Sequence, residues 1–472
     1  MRLKQVALQG LGLLARRGLL ALAFLLMARN LGPRLFGDYS YLYTWVYAAT
    51  LLSALGLPSV STREIALDHT KAGAVLKSSF LIRLLCVLVA MTGLALLFYT
   101  TKLTRSEIVP SALLFTLAIP PLAFGDQLAA YVMGFAKNST FAFIQGSLWG
   151  AFLVATVASV ATSHGLTHAI LMQVVALWIA GGICAAYLKH DFVKSLQARI
   201  NWTVTWSLLR EAVPLAVTSV LGILSFRFGT FFLYKKIGAE STGLYTSSLQ
   251  IVEGLQLIPM ALTGALFPHI CQSAADSCAT LDCFRRVSST LAFISVFVAA
   301  TVSVTSERLV PLVFGSQFKA GGQLLAILIW ACVPMFLHYA LTFFLIAFNR
   351  QRVFVWETLA YLFVSIVGNV LLIPTHGVFG AVFAAIMAEC SILVMHFWFI
   401  LQHLRAEGAL INLALPLGVA ALVVGASTPW KHAINANSLN LLIFVNLSAL
   451  LFGSVFVFYQ RFATFRRGAA SA

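Results

Sequence analysis

Hydrophobic and polar positions separate along this chain into long blocks. Apolar runs of about 20 residues, enough to cross a hydrocarbon core of ~30 Å as a helix, alternate with short polar interruptions. They predict about fourteen spans, at 8–29, 40–60, 79–100, 109–134, 141–161, 168–188, 211–234, 243–267, 288–305, 322–347, 354–373, 378–402, 410–428 and 440–459. The runs lack the strict alternation of a membrane barrel. The longest outer connection, of about 20 residues, leaves no room for a catalytic domain.

Composition agrees with the pattern. Of 472 residues, 60% are hydrophobic and 10% charged, where a soluble domain has about 25% charged. One aqueous core could not hide so much apolar surface at this length. The expectation is an all-α polytopic membrane protein. Arg2 and Lys4 precede the first run and no small-residue cleavage site follows, which predicts a retained first span.

Charge sets the expected orientation. With both termini inside, inner segments hold about 20 Lys and Arg and outer ones about nine. The net charge of +16 thus reads as a topology signal facing an anionic inner leaflet. It needs no nucleic-acid partner. Of seven cysteines, Cys271, Cys278 and Cys283 share one predicted inner loop with a spacing that fits no zinc pattern, so free thiols are expected.

The chain repeats itself. Ala28–Leu42, "ARNLGPRLFGDYSYL", aligns with Tyr234–Leu249, "YKKIGAESTGLYTSSL", at an offset of 206. Gly32 falls on Gly238, Gly37 on Gly243, Tyr39 on Tyr245 and Arg29 on Lys235. "SHGLTHA" from Ser163 and "THGVFGA" from Thr375 align at 212, each between a fifth and a sixth helix. Two parallel six-helix repeats plus two C-terminal helices follow, with parts 1–200, 201–405 and 406–472. Locally, Gly32, Gly37, Gly238 and Gly243 read as turn residues with φ > 0. Pro33 stops the first helix, and Tyr39, Tyr41, Tyr43 and Trp45 read as membrane-interface aromatics.

These stretches carry a resemblance, together with "IGAESTGLYTSSLQIVEGLQLIPMALTGALFP", "LVPLVFGSQFKAGGQLLAIL" and "NRQRVFVWETLAYLFVSIVGNVLLIPTHGVFGAVFAAIMAE". The chain resembles the Wzx-type O-antigen and polysaccharide flippases of the multidrug/oligosaccharidyl-lipid/polysaccharide exporter superfamily. The resemblance covers most of the chain and implies two MATE-like lobes around a central cavity. It departs from many relatives at the seventh helix, where "SFRFGTF" with Arg227 stands in place of an Asp.

Other chemistry is absent from the sequence. Gly32 and Gly37 have the spacing of a phosphate loop, but Asp38-Tyr39 follow instead of Lys and Ser/Thr. No metal motif occurs, and His164 and His376 read as turn caps. No cofactor and no enzyme activity are expected.

Charges within the spans are the informative residues, because each costs about 2.5–3.5 kcal/mol near the bilayer centre. Arg16 and Arg17 interrupt the first run, either as inner-headgroup residues or with one facing a lumen; the resemblance points to Arg17. Arg227 and Glu253 lie ~10 and ~15 Å from the same side, as an ion pair or as a cavity-facing Arg with its holder. Arg83 snorkels or is neutralised by Asp126. Glu357 is expected at an inner helix mouth, and Glu389 shares a helix face with His396. The candidate cationic substrate site is therefore Arg17, Arg29, Arg83, Arg227 and Lys235. Asp126, Glu253, Glu357 and Glu389 are its coupling or ion-pair carboxylates.

The resemblance implies a flippase that moves polyprenyl (undecaprenyl)-pyrophosphate-linked oligosaccharide, an O-antigen, capsule or exopolysaccharide unit, by alternating access. It would work from the cytoplasmic to the periplasmic leaflet of a bacterial inner membrane. Partners would be lipid-linked oligosaccharide, membrane lipids, and polysaccharide polymerase and chain-length proteins. The rival reading is an H⁺- or Na⁺-coupled small-molecule exporter of the multidrug-extrusion type, which predicts a carboxylate-dominated cavity.

Overall fold

The computed structural model describes residues 3–100, 105–162, 165–189, 202–273, 277–348, 350, 353–404, 423–425, 444–448 and 450–455. Among these residues the chain is helical, without strands, and eleven helical stretches are long and apolar enough to cross a membrane. The first stretch holds two of the expected spans. The spans expected at 410–428 and 440–459 fall largely outside the described residues, so the count of about fourteen stands as an expectation.

The chain divides into two compact units, Met1–Gly243 and Leu244–Ala472. The N-terminal unit holds α1 (Leu3–Ala54), α2 (Leu57–Leu67), α3 (Ala72–Thr100), α4 (Val109–Thr116), α5 (Ile119–Gly134), α6 (Asn138–Thr162), α7 (Gly165–Tyr187), α8 (Trp202–Lys236) and the start of α9 (Ala239–Leu255). The C-terminal unit continues with α10 (Leu257–Ser273), α11 (Ser277–Phe314), α12 (Gly321–Leu328), α13 (Cys332–Ala347), α14 (Val353–His376) and α15 (Val378–Leu404).

α1 is two arms joined at a break. Gly32 has φ 70° and ψ 174°, a region essentially closed to other residues. Pro33 follows and offers no N–H to the helix behind it. The same device recurs at both repeat positions. Gly32 and Gly238 have φ of 70° and 116°, and Gly165 and Gly377 have φ of 83° and 59°. Backbone conformation therefore repeats where the sequence repeats.

Gly37 and Gly243 differ from the turn expectation. Both lie inside helices, in α1 and α9, and neither has positive φ. A Cβ on Gly37 would strike the carbonyl of Ala239, and one on Gly243 would strike the carbonyl of Pro33. Pro33 and Ala239 are themselves 206 apart, so each repeat offers the same pair of residues to the other. Close backbone approach, not turn geometry, is what requires glycine here.

The aromatics after this crossing also differ from expectation. Tyr39, Tyr41 and Tyr43 are 0%, 1% and 8% exposed. Tyr39 stacks on Phe115, and Tyr41 on Tyr234 with centroids 3.8 Å apart. Helix α1 turns this face toward α4, α7 and α8, so the rings form core instead of an interface belt. Burial leaves each hydroxyl needing a partner; Tyr39 donates to Gln173 Oε1 at 3.1 Å, and Gln173 in turn donates to Thr156.

Candidate functional site

In the N-terminal unit, three of the span charges, Arg16, Arg83 and Asp126, gather on α1, α3 and α5. Arg16 of α1 reaches Asp126 of α5, Nη1 to Oδ1 3.4 Å, and its guanidinium lies 5.0 Å from the Trp149 ring centroid of α6. The expectation turned Arg17 toward a lumen; Arg17 is exposed, and its neighbour Arg16 is the one that pairs with Asp126. Neighbours on a helix point ~100° apart, so only one of them can take that face.

Arg83 of α3 is completely buried, and its Nε and Nη1 have no hydrogen-bond partner. It does not snorkel. It lies within electrostatic reach of Asp126, whose carboxylate already serves Arg16. Gln127 of α5, next to Asp126 in the chain, donates to Ser61 of α2 and Ser79 of α3, at 3.1 and 2.9 Å. A buried guanidinium with free N–H groups is costly unless an anion reaches it.

Asp38 is a residue that sequence reasoning passed over. It is fully buried, accepts from Tyr234 Oη at 2.6 Å, and pairs with Arg105. Burial works against the Arg105 charge and Asp38 works for it, and the balance moves the guanidinium up. The available signal was weak, an acid in the otherwise basic Ala28–Leu42 segment. Around this triad Arg29, Arg34, Lys235 and Lys236 are exposed, and Lys236 lies 5.8 Å from the Phe232 ring centroid. Arg227 is half-buried in α8.

In the C-terminal unit, Glu253 is half-buried, while Glu357 and Glu389 are buried. Glu357 faces His396 and Glu389 faces His338. Glu357 lies in the second turn of α14, close to the helix start, with its side chain buried. His338 was missed, although a lone imidazole within the 322–347 run was a signal. His376 contacts Thr375 Oγ1 at 2.7 Å, whereas His164 lies outside the described residues. No cluster of three or more His, Cys, Asp or Glu with metal-holding geometry occurs among the described residues. The described cysteines are unpaired; Cys271 is exposed near the end of α10, Cys283 is buried in the second turn of α11, and the Cys278 side chain is outside the description.

A repeated helical bundle with charge buried inside its spans is a multi-pass membrane protein. Solved structures share that fold. One is described as an inward-facing multidrug resistance MATE family transporter of the MOP superfamily. It is similar at TM-score 0.66 and 14% identity, over 84% of this chain and 98% of that one. A MOP superfamily transporter from Pyrococcus furiosus, described by a reverse polarity of its binding pocket, matches at TM-score 0.57 and 12% identity over 85% and 94%.

Residues 3–274 match the family model described as polysaccharide biosynthesis protein, and the chain belongs to that family. Among named relatives is the "Probable low-salt glycan biosynthesis flippase Agl15" of Haloferax volcanii, 20% identical over 60% of this chain and 65% of that protein. Another is the capsular polysaccharide biosynthesis protein CapF of Staphylococcus aureus, 22% identical over 50% and 61%. The chain thus aligns with somewhat less than two thirds of either relative's length.

Proposed function

We propose that the chain is a flippase for polyprenyl-diphosphate-linked oligosaccharide, carrying it from the cytoplasmic to the outer leaflet of a bacterial inner membrane. Both termini would be cytoplasmic, and 1–200, 201–405 and 406–472 would be two six-helix repeats and two added helices. The observation that carries the reading is Arg83, a fully buried guanidinium in a span with Nε and Nη1 unpartnered. Such a group fits an anionic ligand, and its planar fork suits phosphate oxygens. The family match and the relatives named for glycan and capsule biosynthesis support a lipid-linked glycan as the cargo.

The physical problem is the head group. Sugar hydroxyls and a diphosphate cannot cross hydrocarbon unaided, whereas the lipid tail can stay in it. Arg17, Arg29, Arg83, Arg227 and Lys235 would replace water around the anion, and polymerase and chain-length proteins would take up the product. Outward movement of an anion runs with an inside-negative potential, worth ~2.3 kcal/mol per charge per 100 mV.

Arg83→Ala tests this. The variant is expected at wild-type level in the membrane, with lipid-linked oligosaccharide trapped in the inner leaflet. Arg83→Lys should recover only part of the transport, since an ammonium lacks the bidentate fork. Full polysaccharide export by Arg83→Ala would overturn the site; loss of small-molecule efflux instead would favour the exporter reading.

A further inference from the structure

Four titratable side chains meet inside the C-terminal unit. His338 of α13 has Nδ1 3.3 Å from Glu389 Oε2 of α15, and His396 of α15 has Nε2 3.4 Å from Glu357 Oε1 of α14. The two imidazoles face each other, centroids 6.2 Å apart and planes 11° from parallel. Side-chain exposure is 13% for His338, 9% for Glu389, 1% for His396 and 7% for Glu357. All four lie in membrane-spanning stretches.

The surroundings are polar, and among the described residues they supply no fixed cation. Thr342 Oγ1 lies 3.5 Å from His396 Nε2, and the Ile392 carbonyl 3.1 Å from its Nδ1. Tyr361 of α14 lies within reach of Glu389, and of Glu253 and Tyr245 from α9. Cys332 of α13 and Cys390 of α15 lie within reach of Glu389, and Tyr339 stacks on His338. Among the described residues, neither carboxylate pairs with Lys or Arg.

Charge accounting then singles out the proton. A carboxyl and an imidazole that share one proton are neutral together, either as an ion pair or as acid and base. With a proton in each pair, the cluster is neutral. Losing one leaves a bare negative charge in a low-dielectric span, and gaining one leaves a positive charge between facing imidazoles. Both contacts are within ion-pair reach yet out of line for hydrogen bonds, so His338 Nδ1, Glu357 Oε1 and Glu389 Oε2 have no hydrogen-bond partner. Buried polar atoms are normally satisfied. Three helices meet through this cluster, so a change in its charge acts on their packing.

We infer that His338, Glu389, His396 and Glu357 form a proton-binding site whose loading and unloading drives the transport cycle. A proton from water on one side binds a carboxylate or ring nitrogen, and the same proton leaves to water on the other side. Only O–H and N–H bonds form and break. What the protons drive rests on the transporter reading; the site itself does not.

The test uses full-length protein in vesicles of phosphatidylethanolamine and phosphatidylglycerol. Infrared difference spectra are taken between about pH 5 and about pH 8, either side of the ordinary histidine value. A protonated-carboxyl band that changes with pH is expected. Glu357→Gln and Glu389→Gln should each lose part of it, and the double variant all of it. No titrating band, or a band that survives both substitutions, overturns the inference. Should the variants fail to reach the membrane, wild-type protein with isotope-labelled glutamate decides, because the titrating band must then shift. In cells, the double variant should keep its level and lose polysaccharide export; retained export overturns the coupling. If the wild-type chain itself supports no export while the band titrates as described, the flippase reading fails and the proton site stands.

Discussion

Asp38 shows how one side chain can tie separate segments. Its two carboxylate oxygens accept from Tyr234 of α8 and from Arg105, just before α4. Asp38→Ala leaves a guanidinium and a phenol without their acceptor. Losing one partner of a buried charge pair costs about 3–5 kcal/mol, and the partial exposure of Arg105 places this case at the low end. Tyr234→Phe removes one neutral donor to that carboxylate and should cost less, about 1.5–3 kcal/mol. Thermal unfolding of the solubilised protein, followed by intrinsic fluorescence, checks the order. Equal midpoints for Asp38→Ala and wild type would remove the triad from the stability argument. Arg83 is the opposite case, with unpartnered N–H groups, so Arg83→Ala should spare stability and strike transport.

At the scale of elements, the crossing of α1 and α9 is the tightest feature of the N-terminal unit. A methyl on Gly37 or Gly243 would meet backbone carbonyls, which cannot swing aside as side chains do. Gly37→Ala and Gly243→Ala should therefore each destabilise by about 1–3 kcal/mol through overpacking. The contact is reciprocal, so the double variant should be less than additive, since one shift of the helices relieves both clashes. Gly32→Ala acts differently, by backbone strain of about 1–3 kcal/mol at φ 70°, ψ 174°. Membrane levels and unfolding midpoints of the three variants test this. Wild-type behaviour of Gly37→Ala and Gly243→Ala together would show that the helices do not approach so closely.

For the whole molecule, the prediction concerns orientation. The bias of Lys and Arg predicts both termini in the cytoplasm. Cys271 is exposed at the end of α10, on the side predicted to be inner, whereas Cys283 is buried. In intact cells an impermeant thiol reagent should leave Cys271 unmodified and should modify Thr375→Cys, which lies at the far end of α14. Cys271 should react once the membrane is opened, and Cys283 should stay slow in either case. Labelling of Cys271 from outside would reverse the topology.

Hydrophobic blocks and their polar interruptions determined the class of the protein, because lipid leaves a chain this apolar few options beyond bundled helices. They also placed most spans and revealed the repeat, since positive-φ glycines punctuate both halves at matching positions. Arg83, Asp126, Glu357 and Glu389 stood out by their cost in hydrocarbon, so charge within spans was legible. Which of them meet was not. Adjacent Arg16 and Arg17 are equivalent in one dimension, and only the packing of α1 on α5 assigned Asp126 to the first. Gly37 looked like a turn residue until a carbonyl of the other repeat lay against it. His338 and His396 are fifty-eight residues apart, yet their rings face each other. Such pairings depend on helix rotation and crossing, which arise from contacts between distant segments and leave no periodic trace along the chain.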